Sequence, residues 1–245
     1  YYDFLIESGF TPRDGERFHR PEAARMPEEY TKAAFVGQEA CRYMREHRDD
    51  PFCLFVNFLE PHMPFFGPRD DQHPIGEVPV PDNFESVPGP DARIRPRVKQ
   101  RLLAAGGFGG LPLRTEMDWR HLIARYWGLV AMVDAQVGRM METLEDLGLD
   151  ENTIVVYTSD HGDMMGSHRL LAKTFMYEEC TRVPMMIRTP GQTESRRVTG
   201  PVSQIDVVPT LLDLCDAEIP DHLQGRSLRP WLQDRDAMED DVFME

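Results

Sequence analysis

Apolar residues recur at helical spacing between about Pro27 and His47, where Tyr30, Ala33, Ala34, Val36, Gly37, Ala40, Cys41 and Met44 share a face. The polar run Glu46-His47-Arg48-Asp49-Asp50 closes that pattern, which predicts a helix followed by a turn. Pro51 then opens a different pattern. Phe52-Cys53-Leu54-Phe55-Val56-Asn57-Phe58-Leu59 is almost continuously apolar and rich in aromatic and β-favouring residues, which predicts a strand covered on both faces. From Pro61 to about Pro112, prolines and glycines interrupt every period. That stretch is expected to be mostly irregular, and long loops of this kind often border active sites.

The second half is more regular. Leu122, Ile123, Tyr126, Trp127, Val130, Val133, Val137, Met140, Met141, Leu144 and Leu147 recur every three or four positions between Thr115 and Gly148, predicting the longest helix, with Gly148 as its stop. The β-branched run Thr153-Ile154-Val155-Val156-Tyr157-Thr158 follows and ends in Ser159-Asp160-His161-Gly162. A further strand is expected from Val183 to Arg188, and a short helix from Ile205 to Leu214 with Pro209 near its first turn. Helix, short loop, strand and then polar residues is the order of an α/β fold with a mostly parallel sheet. In such folds ligands gather at the carboxyl ends of the strands. No internal repeat is present.

Composition narrows this picture. With 245 residues, 41% of them hydrophobic, and no low-complexity linker, the chain reads as one domain spanning 1–245. Lys and Arg number 27 against 42 Asp and Glu, a formal charge of −15, which argues against nucleic acid and anionic membrane surfaces as partners because no Lys/Arg clustering offsets it. An anionic substrate would have to be held locally, by a metal ion and a few placed cations. The four cysteines, Cys41, Cys53, Cys180 and Cys215, form no C-x-x-C pair and are expected to be buried structural thiols. No run approaches the ~20 apolar residues of a membrane span. Tyr1-Tyr2-Asp3 at one end and Phe243-Met244-Glu245 at the other read as cuts from a longer protein.

The sharpest candidate chemistry is Thr158-Ser159-Asp160-His161-Gly162-Asp163, because a carboxylate and an imidazole directly after a buried strand can share one cation. Taken alone, Asp-His-Gly is also a common turn string. Three further places supply context: Glu60-Pro61-His62-Met63-Pro64 after the first predicted strand, Gly166-Ser167-His168, and Lys173. Each has a structural alternative: His62 pinning a loop between prolines, His168 in a solvated turn, Lys173 on the surface. Asp134, within the apolar face of the long helix, reads as a structural hydrogen-bonding group, not a catalytic one.

The order strand-Glu60-Pro61-His62-x-Pro64, long helix, strand-Ser159-Asp160-His161-Gly162, Gly166-x-His168, Lys173 and Arg182-Val183-Pro184 resembles the sulfatase family of the alkaline phosphatase superfamily, including its phosphonate monoester hydrolase relatives. Gln224-Gly225-Arg226-Ser227-Leu228 and Val242-Phe243-Met244-Glu245 are similar to the end of that family's main domain. The resemblance implies an alkaline phosphatase-like sheet flanked by helices, truncated at both ends. It implies that Asp160 and His161 help ligate a divalent cation, with Ca2+ first and Mn2+ or Mg2+ as alternatives. His62 and Lys173 would contact the sulfate or phosphoryl oxygens of a small anionic ester, and His168 would lie at the site's edge.

In that family the nucleophile is a formylglycine made from Cys or Ser in C/S-x-P-x-R. None of the four cysteines has a proline two residues on, and Ser86-Val87-Pro88-Gly89-Pro90 has Pro where Arg is required. The nucleophile is therefore expected before Tyr1, and the 245 residues alone are expected to be inactive. Phosphonate monoester or phosphodiester hydrolysis is the alternative within the superfamily, and a non-catalytic binding protein with a degenerate site is the alternative of a different class. A periplasmic or extracellular location is slightly favoured, since many family members are exported.

Overall fold

The computed structural model describes residues 1–233. In chain order its elements are helices α1 (Tyr2–Glu7), α2 (Arg20–Ala23), α3 (Lys32–Glu46), α4 (Ile94–Gly106) and α5 (Glu116–Asp146), strand β1 (Val155–Thr158), helix α6 (Glu178–Thr181), strand β2 (Met185–Arg188), and helices α7 (Val207–Leu214) and α8 (Arg229–Leu232). Two compact units are distinguished, one comprising Tyr1–Glu151 with Val156–Met186, the other Asn152–Val155 with the described part of Ile187–Glu245. Among the described residues no helix is long and apolar enough to cross a membrane.

Helix α5 is the spine of the first unit. Its 31 residues extend about 46 Å. Its start is fixed by a reciprocal cap, in which Thr115 Oγ1 accepts from Asp118 N–H at 3.2 Å and Asp118 Oδ2 accepts from Thr115 N–H at 2.8 Å. Trp119, Leu122, Ile123, Leu129 and Met132 on its buried face join Phe65, Val78, Phe84, Leu103, Leu113 and Leu171 in the main core. Helix α3 starts at Thr31, whose hydroxyl accepts from Ala34 N–H, and packs along α5. The approach is close at Gly37, where a Cβ would lie 2.5 Å from Gln136 Oε1. Leu5, Phe18 and Met26 make a smaller core beneath α1.

In the second unit, Ser203 and Asp206 cap the entry to α7 reciprocally. Asp206 Oδ1 also accepts from Arg226 N–H at 2.9 Å, and Thr210 Oγ1 accepts from Leu228 N–H at 2.8 Å, so the Gln224–Leu228 segment folds back on α7. Gly225 is required there, because a Cβ would stand 2.0 Å from Ile205 O. The matching expectation for Val242–Glu245 lies outside the described residues.

Several sequence expectations change. Residues 52–59 form no strand; half-buried Phe52, Leu54, Val56 and Phe58 alternate with exposed Cys53, Phe55, Asn57 and Leu59. That period of two is the signature of an extended segment with one covered face, and it leaves Phe55 75% exposed. A strand exists only where a neighbour supplies its ladder, and among the described residues β1 and β2 pair only with each other. A mostly parallel sheet is therefore not what these residues display. Within the stretch expected to be irregular, Ile94–Gly106 is helical, because Arg, Lys, Gln, Leu and Ala are good helix formers once Gly107, at φ +66°, supplies the stop. Cys41 and Cys180 are buried but Cys53 and Cys215 are exposed. Asp134 faces solvent near Arg69, and the buried polar residues of α5 are Gln136 and Thr143.

Candidate active site

The polar residues after β1 are held by short local bonds. Ser159 Oγ donates to the His161 carbonyl at 2.9 Å, and Gly162 N–H donates to the Cys180 carbonyl at 2.9 Å. A Cβ on Gly162 would stand 1.9 Å from Glu179 O, so only glycine lets the chain pass α6 this closely. Asp160 is largely exposed, and its Oδ2 lies 3.2 Å from His161 Nε2.

That pair has a definite electrostatic meaning. His161 Nδ1 lies 2.7 Å from the Gly162 carbonyl oxygen, which can only accept, so Nδ1 carries the proton. In the neutral ring, Nε2 then presents a lone pair to a carboxylate oxygen at 3.2 Å, and two acceptors face one another. A divalent metal ion could be shared by these two atoms. A carbonyl that fixes the tautomer of a ligating imidazole is the usual support for such a ligand. The donor chemistry fits part of a divalent site. It supplies only part, because a hard cation takes six or more donors, and among the described residues no group of three or more His, Cys, Asp and Glu side chains converges.

Beyond Gly162 the backbone is strained. Met165, His168, Arg169, Ala172 and Thr174 all have positive φ, between +31° and +95°. Asp163 organises this turn by accepting from Met165 N–H at 2.9 Å and Ala172 N–H at 3.0 Å through one oxygen. Burial raises its carboxyl pKa, while those two bonds and the nearby Lys173 and His161 pull the other way. Asp163 therefore lies within the electrostatic reach of both His161 and half-buried Lys173. The sequence displayed Asp163 within the Asp-His-Gly string but gave no sign of this role.

His168 is engaged on every side. Its Nδ1 meets the Ser86 carbonyl at 2.6 Å, Asn83 Nδ2 lies 3.4 Å from its Nε2, and its ring stacks on Tyr177 at 4.6 Å. Beside it, Arg169 pairs with Glu85 at 2.6 Å and lies over the Phe84 ring. Asn83 also donates to Glu179 at 2.7 Å. These contacts latch residues 83–86 onto the turn that leads to Lys173. Nothing in the sequence marked Asn83, because its partners are about 85 and 96 residues away.

His62 lines a small pocket with Arg20, Lys32 and Glu60. Its Nδ1 lies 3.0 Å from the Met63 carbonyl, which leaves Nε2 free of that bond. Glu60 is mostly buried, and its Oε2 finds no hydrogen-bond partner. Burial raises its carboxyl pKa, with Lys32 opposing. The structure thus sets Asp160 against His161, and Lys173 and His161 both act on the Asp163 carboxylate through their charge alone. His62 lies on a pocket whose lining includes none of those four.

A sequence model described as Sulfatase matches residues 7–217. The chain belongs to the sulfatase family. Among curated proteins, it is 29% identical over 258 residues to the multifunctional alkaline phosphatase superfamily protein PehA of Trinickia caryophylli, covering 95% of this chain and 49% of that protein. It is 34% identical over 217 residues to the uncharacterized sulfatase YidJ of Escherichia coli K12, covering 84% and 40% respectively. Among solved structures, the phosphonate monoester hydrolase from Silicibacter pomeroyi superposes with a TM-score of 0.79 at 25% identity, covering 98% of this chain and 51% of that one. This sulfatase-family chain therefore spans about half the length of the relatives it matches. Its fold is that of a part of an alkaline phosphatase-like domain.

Proposed function

We propose that this chain is the metal- and substrate-binding part of a sulfuric ester hydrolase whose nucleophile, a formylglycine, lies outside these 245 residues. The observation that carries the reading is the facing of Asp160 and His161 at 3.2 Å at the end of β1, within a chain matched by the sulfatase family from residue 7 to 217. Asp160 and His161 are two of the metal ligands; the remaining ligands, like C/S-x-P-x-R, are supplied from elsewhere. A bound divalent cation neutralises charge on the group being transferred. Calcium is the first choice because a carboxylate is a hard donor, with manganese and magnesium behind it.

The chain's own cations do the rest. Lys173, poised by the Asp163 carboxylate, clamps a non-bridging oxygen of the ester, an interaction that strengthens as negative charge develops there. His62 uses Nε2 to bind another oxygen or to protonate the leaving alcohol, its ring orientation set by the Met63 carbonyl. His168 holds residues 83–86 at the edge of the site. Residues 52–59, β1 and β2 belong, on this reading, to a mostly parallel sheet completed by strands beyond those described, which accounts for the exposed side of residues 52–59. A phosphonate monoester is the second substrate class, favoured by the superposition on a phosphonate monoester hydrolase over 98% of the chain.

The test is a paired assay on the full-length gene product, matured to formylglycine and supplied with calcium or manganese. Hydrolysis of an aryl sulfate that drops ~10²-fold on Lys173→Ala is the expected result. Preference for an aryl phosphonate monoester would select the second class, and turnover of neither ester would sink the hydrolase reading.

A further inference from the structure

Helix α4 turns an apolar stripe to solvent. Ile94, Val98 and Leu102 are 70%, 45% and 63% exposed, and their spacing of four residues aligns them along one side of the helix. The opposite side is the one that packs, through Pro96 and Leu103. By helical geometry Arg95 flanks the stripe on one edge and Arg101 on the other, and both are exposed. The charge around this helix is unlike that of the rest of the chain. Residues 92–115 hold six cations (Arg93, Arg95, Arg97, Lys99, Arg101 and Arg114) and no Asp or Glu. The remaining residues hold 27 − 6 = 21 cations against 42 carboxylates, a balance of −21. The local Lys/Arg clustering that the overall charge concealed is therefore present, on one helix and beside exposed aliphatic side chains.

We propose that the outward stripe of α4 is a docking face for a second copy of this chain, and that the surface it takes is acidic. Two α4 stripes cannot pair with each other, because their flanking arginines would be set against arginines. Helix α1 of the same unit has the complementary character: Tyr2 and Ile6, one turn apart, are 44% and 53% exposed and lie beside exposed Asp3 and Glu7. Docking α4 of one copy on α1 of the next removes aliphatic surface from water and sets Arg95 and Arg101 against Asp3 and Glu7. An anionic bilayer is the less favoured occupant, since it would attract these arginines but meet the large negative charge of the remaining chain. The inference does not depend on the proposed hydrolase activity.

Sedimentation of the full-length protein between low and high micromolar concentration reads the proposal. Reversible self-association that weakens with added salt is expected. Leu102→Asp should raise the dissociation constant ~10-fold or more at unchanged circular dichroism and melting temperature. Arg101→Glu should weaken association, and Glu7→Lys combined with it should restore it in part. A protein that stays monomeric at all concentrations overturns the proposal, as does self-association indifferent to Leu102→Asp and Arg101→Glu. Co-flotation of the wild type with phosphatidylserine vesicles, abolished by Leu102→Asp, also overturns it and assigns the helix to a lipid surface.

Discussion

Replacing Gly162 by alanine tests whether the end of β1 is fixed by backbone contact with α6. The added Cβ would stand 1.9 Å from the Glu179 carbonyl oxygen, and real Cβ contacts essentially never fall under 3.0 Å. One segment must therefore retreat by about 1 Å, the difference between those distances. The obstacle is backbone, so no side-chain rotation relieves it. The Gly162 N–H bond to the Cys180 carbonyl, 2.9 Å long, lies in the path of that retreat. Overpacking of this kind costs about 3 kcal/mol, the upper end of its usual range, which for a protein the length of the relatives, about twice this chain, is a fall of about 3–6 °C in melting temperature. Differential scanning calorimetry of the full-length protein measures the fall, and hydrogen exchange at the Gly162 amide locates it. Gly138→Ala is the control: it sits exposed on α5 with nothing within 4 Å of the added atom, so it should gain ~0.5–1 kcal/mol. A Gly162→Ala melting point within about 2 °C of wild type would show that the close approach to α6 does not hold the site.

Three further outcomes follow from single contacts. Thr115→Ala removes the reciprocal cap of α5 and should cost ~1 kcal/mol, with faster exchange of the Asp118 amide, while Thr115→Ser should keep most of it. Glu60→Gln should stabilise in a pH-dependent way. Because burial raises the Glu60 carboxyl pKa, its stabilising contribution is full below the ordinary value of 4.5 and is lost as pH rises through the raised value. The glutamine variant should thus match wild type at pH ~4 and exceed it at pH ~8. An equal difference at both pH values in thermal melts would dismiss the buried-charge account. His161→Ala should weaken calcium or manganese retention by the full-length protein ~10–100-fold in a direct titration, with no reference to turnover.

Much of the candidate site was legible in the chain. Asp160, His161, His62 and Lys173 were visible because polar residues that interrupt apolar runs at strand ends stand out against a period of two or 3.6, and their order matched a family. Asp163 was visible as a letter only. Its two backbone donors, Met165 and Ala172, are brought to one oxygen by a turn with several positive φ angles, which residue type alone does not disclose. His168 illustrates the converse: its spacing suggested chemistry, and the fold occupies both its ring nitrogens with residues 83–86.

The sequence by itself determined the local elements: the existence and approximate place of α3 and α5, whose apolar periodicity is written in consecutive residues, the approximate positions of β1 and β2, and the sulfatase family, while the start of α3 at the Thr31 cap was not read from it. These depend on interactions within a few positions of one another. Only the tertiary structure decided which pieces meet across long separations. It paired β1 with β2 but left residues 52–59 unpaired, set Gly162 against α6, and tied Asn83 to Glu179. It also turned the stripe of α4 outward, because an aliphatic residue has the same pattern whether its face is covered or open, and only the presence of a neighbour makes it core.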